Sequence, residues 1–321
     1  MEINVYRLFI NYYINPEKNR RTMENINRRS FIQKSAIGLA GTMATAAGLV
    51  NMSFIPASNV MIDTVNLGET GMTVPRLALG TGSYGWKKTS AQKKMGEDKF
   101  VQMAQHAFDR GVRFFETADM YGTHEFVGKA MKKVGRENVT LLTKIMVYEH
   151  QDWYKPEPFQ KSIDRFRREL DTDYIDILLL HCMVNTEWPD EYKRYMDEYS
   201  EAKQKGIIKQ VGLSCHDFGA LKIAAENPWP DVLLARINYD GAKMDSTPEN
   251  VMQVLKKAKD KGKGIIGMKI FGCGDLTKEE QRQKSLEYVI KSKNVDCMTI
   301  GMESIAQVDD TVERIMKLAN S

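Results

Sequence analysis

Four ionisable side chains fall where runs of strand-forming residues give way to loops: Glu116, Tyr121, Lys144 and His181. A phenol with an ammonium and an imidazole beside it can hand a proton to a carbonyl oxygen that is acquiring negative charge. A buried lysine next to a carboxylate stays charged, and its field lowers a neighbouring phenol from its ordinary value of about 10. Taken singly, each residue has a plainer reading. Tyr121 is a packing residue, Lys144 a stem carrying its charge to solvent, His181 a hydrogen-bonded core residue, and Glu116 only a counter-charge for Lys144.

The elements around them decide between these readings. Strand patterns cover residues 76–81, 112–117, 139–145, 174–181, 208–215, 232–239, 264–270 and 295–300. Helical patterns follow over 98–110, 124–134, 157–170, 190–204, 218–226, 249–261, 278–291 and 304–318. In the first of these, Phe100, Met103, Ala104, Ala107 and Phe108 recur at helical spacing. Residues 174–181 are nearly continuous Ile and Leu, as suits a parallel strand buried on both faces. Eight strand–helix units in about 255 residues predict an α/β fold of the (β/α)8 TIM barrel type. A doubly wound sheet also alternates, but no GxGxxG follows the first strand. Residues 65–75, with Gly68 and Gly71, read as an N-terminal hairpin closing the barrel bottom. Nothing divides residues 61–321, which we read as one domain. Strand ends of such a barrel share one mouth, so the four candidates converge there.

Composition removes other classes. Of 321 residues, 42% are hydrophobic and 27% charged, which excludes a disordered chain. Forty-six Lys and Arg stand against 42 Asp and Glu, and no long basic block appears, so no nucleic-acid partner is expected. The four cysteines are isolated, without zinc spacing or the density of a disulfide scaffold. Cys182, Cys215 and Cys273 follow strands four, five and seven, near His181 and His216, a set that could supply soft ligands to a metal. Small buried residues are the plainer explanation, and no metal is assigned. Cys297 starts strand eight, at the opposite end.

Residues 1–60 address the protein rather than build it. Arg28 and Arg29 precede Phe31-Ile32, and no charged side chain occurs from Ser35 to Ile62. A basic head before an apolar, small-residue stretch is a signal-segment plan, and the arginine pair resembles a twin-arginine (Tat) signal. Export to a periplasm through the twin-arginine machinery is expected; an uncleaved membrane anchor is the alternative. Translation starts at Met1 or Met23, and no lipobox cysteine is present.

Phe114-Phe115-Glu116-Thr117-Ala118-Asp119-Met120-Tyr121-Gly122, Leu142-Thr143-Lys144 and Tyr174-Ile175-Asp176-Ile177-Leu178-Leu179-Leu180-His181 resemble, in order, the signatures of the aldo-keto reductase superfamily. So do Gly68-Glu69-Thr70-Gly71, Gly80-Thr81-Gly82 and the run 206–214. The resemblance covers the barrel from about Val65 to the last helix. It implies carbonyl reduction with a nicotinamide cofactor. Tyr121 would be the general acid, Lys144 its pKa-lowering partner and His181 the residue that orients the carbonyl. The superfamily's Asp, five residues before the Tyr, is Glu116 here, one methylene longer.

The same resemblance places NAD(P)(H) against Gly80, Thr81, Gly82, Ser214, Cys215, Arg236, Met268, Lys269, Gly272, Gly301, Gln307 and Asp310. Several depart from the superfamily pattern. Cys215 stands for an Asn, Arg236 for a Gln, Met268 for the aromatic ring that stacks on nicotinamide, and Thr311 for an Asn. Residues 301–311 contain no Lys or Arg, and Glu303 would repel a 2′-phosphate, so the choice between NADP and NAD stays open. Gly272 and Gly274 offer backbone N–H groups to a pyrophosphate. Trp86, Trp153 and Trp188, with Tyr148 and Tyr154, predict an aromatic mouth suited to an apolar ring or the flat face of a sugar. The expectation is an oxidoreductase acting on a small-molecule carbonyl or alcohol. Its rival is a low-turnover cofactor-binding or sensing protein on the same barrel. Substrate and oligomeric state are not legible.

Overall fold

A computed structural model describes residues 60–149 and 153–320. The arginine pair and the signal segment up to residue 59 lie outside the described residues. No helix among the described residues is long and apolar enough to cross a membrane.

A hairpin of β1 (Thr64–Asn66) and β2 (Thr73–Pro75) precedes the barrel and pairs antiparallel. The eight barrel strands are β3 (Leu77–Gly80), β4 (Phe114–Glu116), β5 (Thr140–Ile145), β6 (Ile175–Met183), β7 (Ile208–Cys215), β8 (Val232–Arg236), β9 (Gly264–Met268) and β10 (Cys297–Gly301). All pair in parallel, and β10 closes on β3. The larger helices are α2 (Glu97–Asp109), α3 (His124–Val134), α4 (Phe159–Leu170), α6 (Lys193–Gln204), α7 (Phe218–Glu226), α8 (Pro248–Asp260), α9 (Glu279–Ser292) and α10 (Ile305–Ala319). The predicted (β/α)8 barrel with its N-terminal hairpin is what forms.

Differences are local. A short α1 (Ala91–Lys94), capped by Ser90 Oγ, falls inside the first strand–helix connection and was not expected. The predicted helix over 190–204 is two: α5 (Trp188–Glu191), started early by a proline in its first turn, and α6, separated by Tyr192 at φ −109°, ψ 19°. β8 stops at Arg236 rather than 239. Asn238 Oδ1 there accepts from the N–H groups of Asp240, Gly241 and Ala242, so the chain turns instead of extending. β9 stops at Met268 because Lys269 is left-handed, at φ 59°.

Side-chain alternation along the strands positions the site. One buried cluster fills the barrel and includes Ala78, Phe114, Leu142, Leu179, Leu234 and Ile266. Two residues further along each strand, on the same face, stand Gly80, Glu116, Lys144, His181, Arg236 and Met268. Leu67 and Val74 of the hairpin belong to the same cluster and close the barrel at its other end. A second cluster, containing Leu141, Leu180, Leu213 and the inner faces of the helices, lies outside the barrel wall.

Candidate active site

Lys144 is 1% exposed. Its Nζ donates to Glu116 Oε1, to the Thr117 carbonyl at 2.9 Å and to Tyr121 Oη at 3.2 Å. The other carboxylate oxygen of Glu116 accepts from Thr299 Oγ1 at 2.9 Å. Tyr121 ends a 3-10 turn, Asp119–Tyr121, closed by Gly122 in the left-handed region at φ 68°. Its ring lies between Gly82 and Gly85. A Cβ would sit 2.2 Å from ring atom Cε2 at the first and 2.4 Å from Cδ1 at the second, so only glycines admit the ring. His181 stands edge-on to Tyr121, ring centroids 5.7 Å apart and planes at 83°.

Burial pushes the Lys144 ammonium below its ordinary value, and the Glu116 carboxylate opposes that shift. Burial, and then the Lys144 charge, hold His181 well below 6.5, so its imidazole is neutral. His181 Nδ1 is buried and without a hydrogen-bond partner among the described residues. A neutral ring beside Tyr121 can donate one hydrogen bond to a carbonyl without adding a charge.

Asp119, in the same sequence motif, is engaged elsewhere. Arg165 grips it with two bonds of 2.8 and 3.0 Å, and Lys88 adds a third. Burial works against its charge, but Arg165 and Lys88 hold its carboxyl below the usual range. Asp119, His124 and Glu169 bring three potential metal ligands within 4.8 Å of one another. The Arg165 guanidinium already bonds both Asp119 and Glu169 and supplies the positive charge of that cluster.

The mouth opens into a cleft of about 320 Å³. Its walls run from Glu116, Tyr121 and Thr299, past Met268 and Lys269, to Gly301, Gln307, Asp310 and Thr311, with Gly80 and Gly82 on one side. Eight of the twelve cofactor candidates are thus sorted: Gly80, Gly82, Met268, Lys269, Gly301, Gln307 and Asp310 line the cleft, and Ser214 is fully buried. Ser214 Oγ accepts from the Cys182 N–H at 2.8 Å, where β6 bulges and Cys182 is left-handed at φ 64°.

Four others are placed differently. Thr81 is fully buried and its hydroxyl is shared with Thr123 at 2.8 Å, tying β3 to the start of α3. Cys215 falls on the outer face of β7, one residue out of register with Ser214, and packs in the cluster under the helices. Arg236 points inward, but bonds Asp245 Oδ1 and His216 Nδ1, each at 2.7 Å. Gly272 is a buried, left-handed turn residue at φ 59°.

Sequence reasoning missed Thr299, Arg282 and Tyr84. Thr299 carried a readable signal, an inward position two residues past Cys297. Arg282 reaches the cleft from α9 and pairs with Asp310 at 3.3 Å, so the absence of basic residues from 301–311 does not leave that end without a cation. Tyr84 spans from the loop after β3 to the loop after β9, and a Cβ on Gly274 would fall 2.1 Å from its hydroxyl. Burial, then Cys273, Asp275 and Glu303, raise the Tyr84 phenol.

The three mouth cysteines do not form one ligand set. Cys182 Sγ lies 3.6 Å from His216 Nε2, Cys273 Sγ accepts from Lys269 Nζ at 3.4 Å, and Cys215 faces outward. Trp86 and Trp153 pack edge to face at the mouth, 5.0 Å between centroids. Tyr148 and Tyr154 spend their hydroxyls on the carbonyls of Cys182 and Met146. Trp188 is not a mouth residue: it is fully buried on α5, 6.5 Å from Trp229.

The cleft runs from Glu116 and Tyr121 along glycine backbone at Gly82, Gly274 and Gly301, the kind of elongated site a dinucleotide occupies. The sequence profile of the Aldo/keto reductase family matches residues 76–320. L-galactose dehydrogenase of Arabidopsis thaliana is 25% identical over 288 residues, covering 78% of this chain and 88% of that protein. Methylglyoxal reductase DkgA of Escherichia coli (strain K12) is 28% identical over 151 residues, 45% of this chain and 46% of that one. Among solved structures, a putative aldo-keto reductase of Pseudomonas aeruginosa superposes with TM-score 0.66 at 21% identity, covering 82% of this chain and 98% of that one. The holo form of AKR11C1 from Bacillus halodurans gives 0.65 at 20% identity, covering 81% and 94%.

Proposed function

The chain belongs to the aldo/keto reductase family of NAD(P)-dependent oxidoreductases, and on that premise we propose that it interconverts a small-molecule carbonyl and its alcohol, with Tyr121 as the acid and base. The observation that carries this reading is the approach of Lys144 Nζ to Tyr121 Oη, 3.2 Å, at the end of the cleft. When bound, the nicotinamide would supply the hydride, and Met268, Lys269, Gly301, Gln307 and Asp310, which line the cleft, would hold the dinucleotide.

The protein's own part is positional and electrostatic. Gly82 and Gly85 fix the phenol ring, and the ammonium of Lys144 favours the phenolate left when the proton moves to the carbonyl oxygen. His181, being neutral, steers that oxygen by donating a hydrogen bond. The Trp86–Trp153 pair offers a flat apolar wall, and L-galactose dehydrogenase is a relative over most of the chain. Both support a hydroxylated, sugar-like substrate.

Replacing Tyr121 by Phe tests the role. Turnover of aldehydes, ketones or aldoses should fall by about 10²–10⁴, the usual worth of a positioned acid, while dinucleotide affinity stays the same. Wild-type protein that binds NADH or NADPH but turns over none of these compounds would instead support a low-turnover cofactor-binding protein. The engagement of Arg236 with Asp245 and His216 favours that second reading. We further propose that residues 1–60 direct export to a periplasm through the twin-arginine machinery, since Arg28 and Arg29 stand before a stretch without charge.

A further inference from the structure

We propose that Thr299 is a positioning residue for the proton relay, tethering the Glu116 carboxylate so that its other oxygen faces Lys144. This rests on the assignment of Tyr121 and Lys144 made above.

A glutamate at this place meets two demands. It has one more rotatable bond than an aspartate, so its carboxylate can miss the lysine. Like any carboxylate, it also has a second oxygen, which must find a donor inside the barrel, where Glu116 is only 4% exposed. Thr299 meets both needs. It stands on β10, 8% exposed, and its Oγ1 donates to Glu116 Oε2 at 2.9 Å. With that oxygen tethered, Oε1 is left facing Lys144 Nζ.

The neighbouring strand makes room for this arrangement. A Cβ at Gly80 would lie 2.9 Å from Thr299 Oγ1, so the hydroxyl uses space that a side chain would take. Three strands thus serve one carboxylate: β4 supplies it, β10 tethers it and β3 leaves the gap. A carboxylate shorter by one C–C bond, about 1.5 Å, could not span both partners. One of its two contacts would exceed hydrogen-bonding distance.

The consequence is positional. Without the Thr299 hydroxyl, Oε2 loses its donor inside the barrel, and the carboxylate can turn away from Lys144.

The test uses full-length protein with Thr299→Val, Thr299→Ser, Glu116→Asp and the Thr299→Val/Glu116→Asp pair. Reduction of 4-nitrobenzaldehyde with NADH and with NADPH gives the rate, and urea unfolding gives a second readout that needs no turnover. Thr299→Val should lower kcat about tenfold with little change in KM. Thr299→Ser should restore the rate. In the Glu116→Asp background, Thr299→Val should leave the rate as it is, and the two substitutions should be non-additive in urea midpoint.

Equal losses from Thr299→Val with either acid, or no rescue by serine, would overturn the proposal and make Thr299 a packing residue. If wild-type protein reduces nothing, the reading of the site fails on its own account. The urea cycle then still decides the tether: additive midpoints reject it and non-additive ones sustain it.

Discussion

Arg236 donates from Nη2 to His216 Nδ1 across 2.7 Å. A guanidinium can only donate, so His216 must accept at Nδ1 and carry its proton on Nε2. That proton faces Cys182 Sγ at 3.6 Å. Burial, then Arg236 and His181, keep the His216 ring neutral, well below 6.5. On its far side Arg236 bonds Asp245, whose carboxyl burial raises to about 6. A line of four side chains, Asp245 and His216 half-buried and Arg236 and Cys182 buried, therefore runs from Asp245 toward the neighbour of His181.

Two neutral histidines, His181 buried and His216 half-buried, set a pH dependence. His181 and His216 both have depressed folded-state values, so below about 6.5 the unfolded chain binds protons that the folded one refuses, and stability falls as pH falls. Asp245 acts oppositely: its raised value adds stability below about 4 that is lost as pH rises through about 6. Each histidine contributes a slope of up to about 1.4 kcal/mol per pH unit. Urea midpoints of wild type and His216→Gln between pH 7.5 and 5.5 should show a flatter decline in the variant. Parallel lines would mean that His216 binds its proton equally well in the folded and unfolded protein.

Gly82→Ala should damage the chemistry more than the fold. The new methyl meets the Tyr121 ring at 2.2 Å and must displace it. Misplacement by about 1 Å can cost around 10²-fold in rate, whereas overpacking costs about 1–3 kcal/mol of stability. Comparing kcat with the urea midpoint checks this; a large stability loss with normal kcat would contradict it.

The far end of the cleft should prefer NADH to NADPH. Arg282 faces Asp310 there, and Asp310 is also bonded by Arg314 at 2.9 Å. Glu303, exposed at the rim, adds a second carboxylate against a 2′-phosphate. Glu303→Lys should tighten NADPH by about tenfold, or ~1.4 kcal/mol, with little change for NADH, and added salt should erode the gain. Fluorescence titration of both nucleotides measures it. Equal gains for both would show that Glu303 does not face the phosphate position.

Replacing Arg28 and Arg29 together by lysine should leave the protein inside the cytoplasm. Fractionation and immunoblotting of cells expressing either form would show it. Unchanged distribution would remove the twin-arginine reading and leave the barrel assignment untouched.

The barrel, and the meeting of Glu116, Tyr121, Lys144 and His181 at one mouth, were legible in the chain because both depend on short-range pattern. Strand–helix alternation predicted eight units, and the strand ends put Glu116, Lys144 and His181 at one end of the barrel. Tyr121 was legible because its motif is contiguous. What the sequence could not settle was the use to which each polar group is put. Arg236 occupies a strand end as expected, yet its donors are taken by Asp245 and His216, a pairing that only folding brings together. Cys215 and Ser214 are adjacent in sequence, and one residue of register puts the first outside the barrel wall and the second within it. Trp188 looked like a mouth aromatic until an early helix start buried it. Thr299 and Arg282 reach the site from the last strand and from α9, 183 and 166 residues after Glu116. Local pattern determines which face a side chain takes; which partner it meets there depends on closure of the barrel, and no local pattern records that.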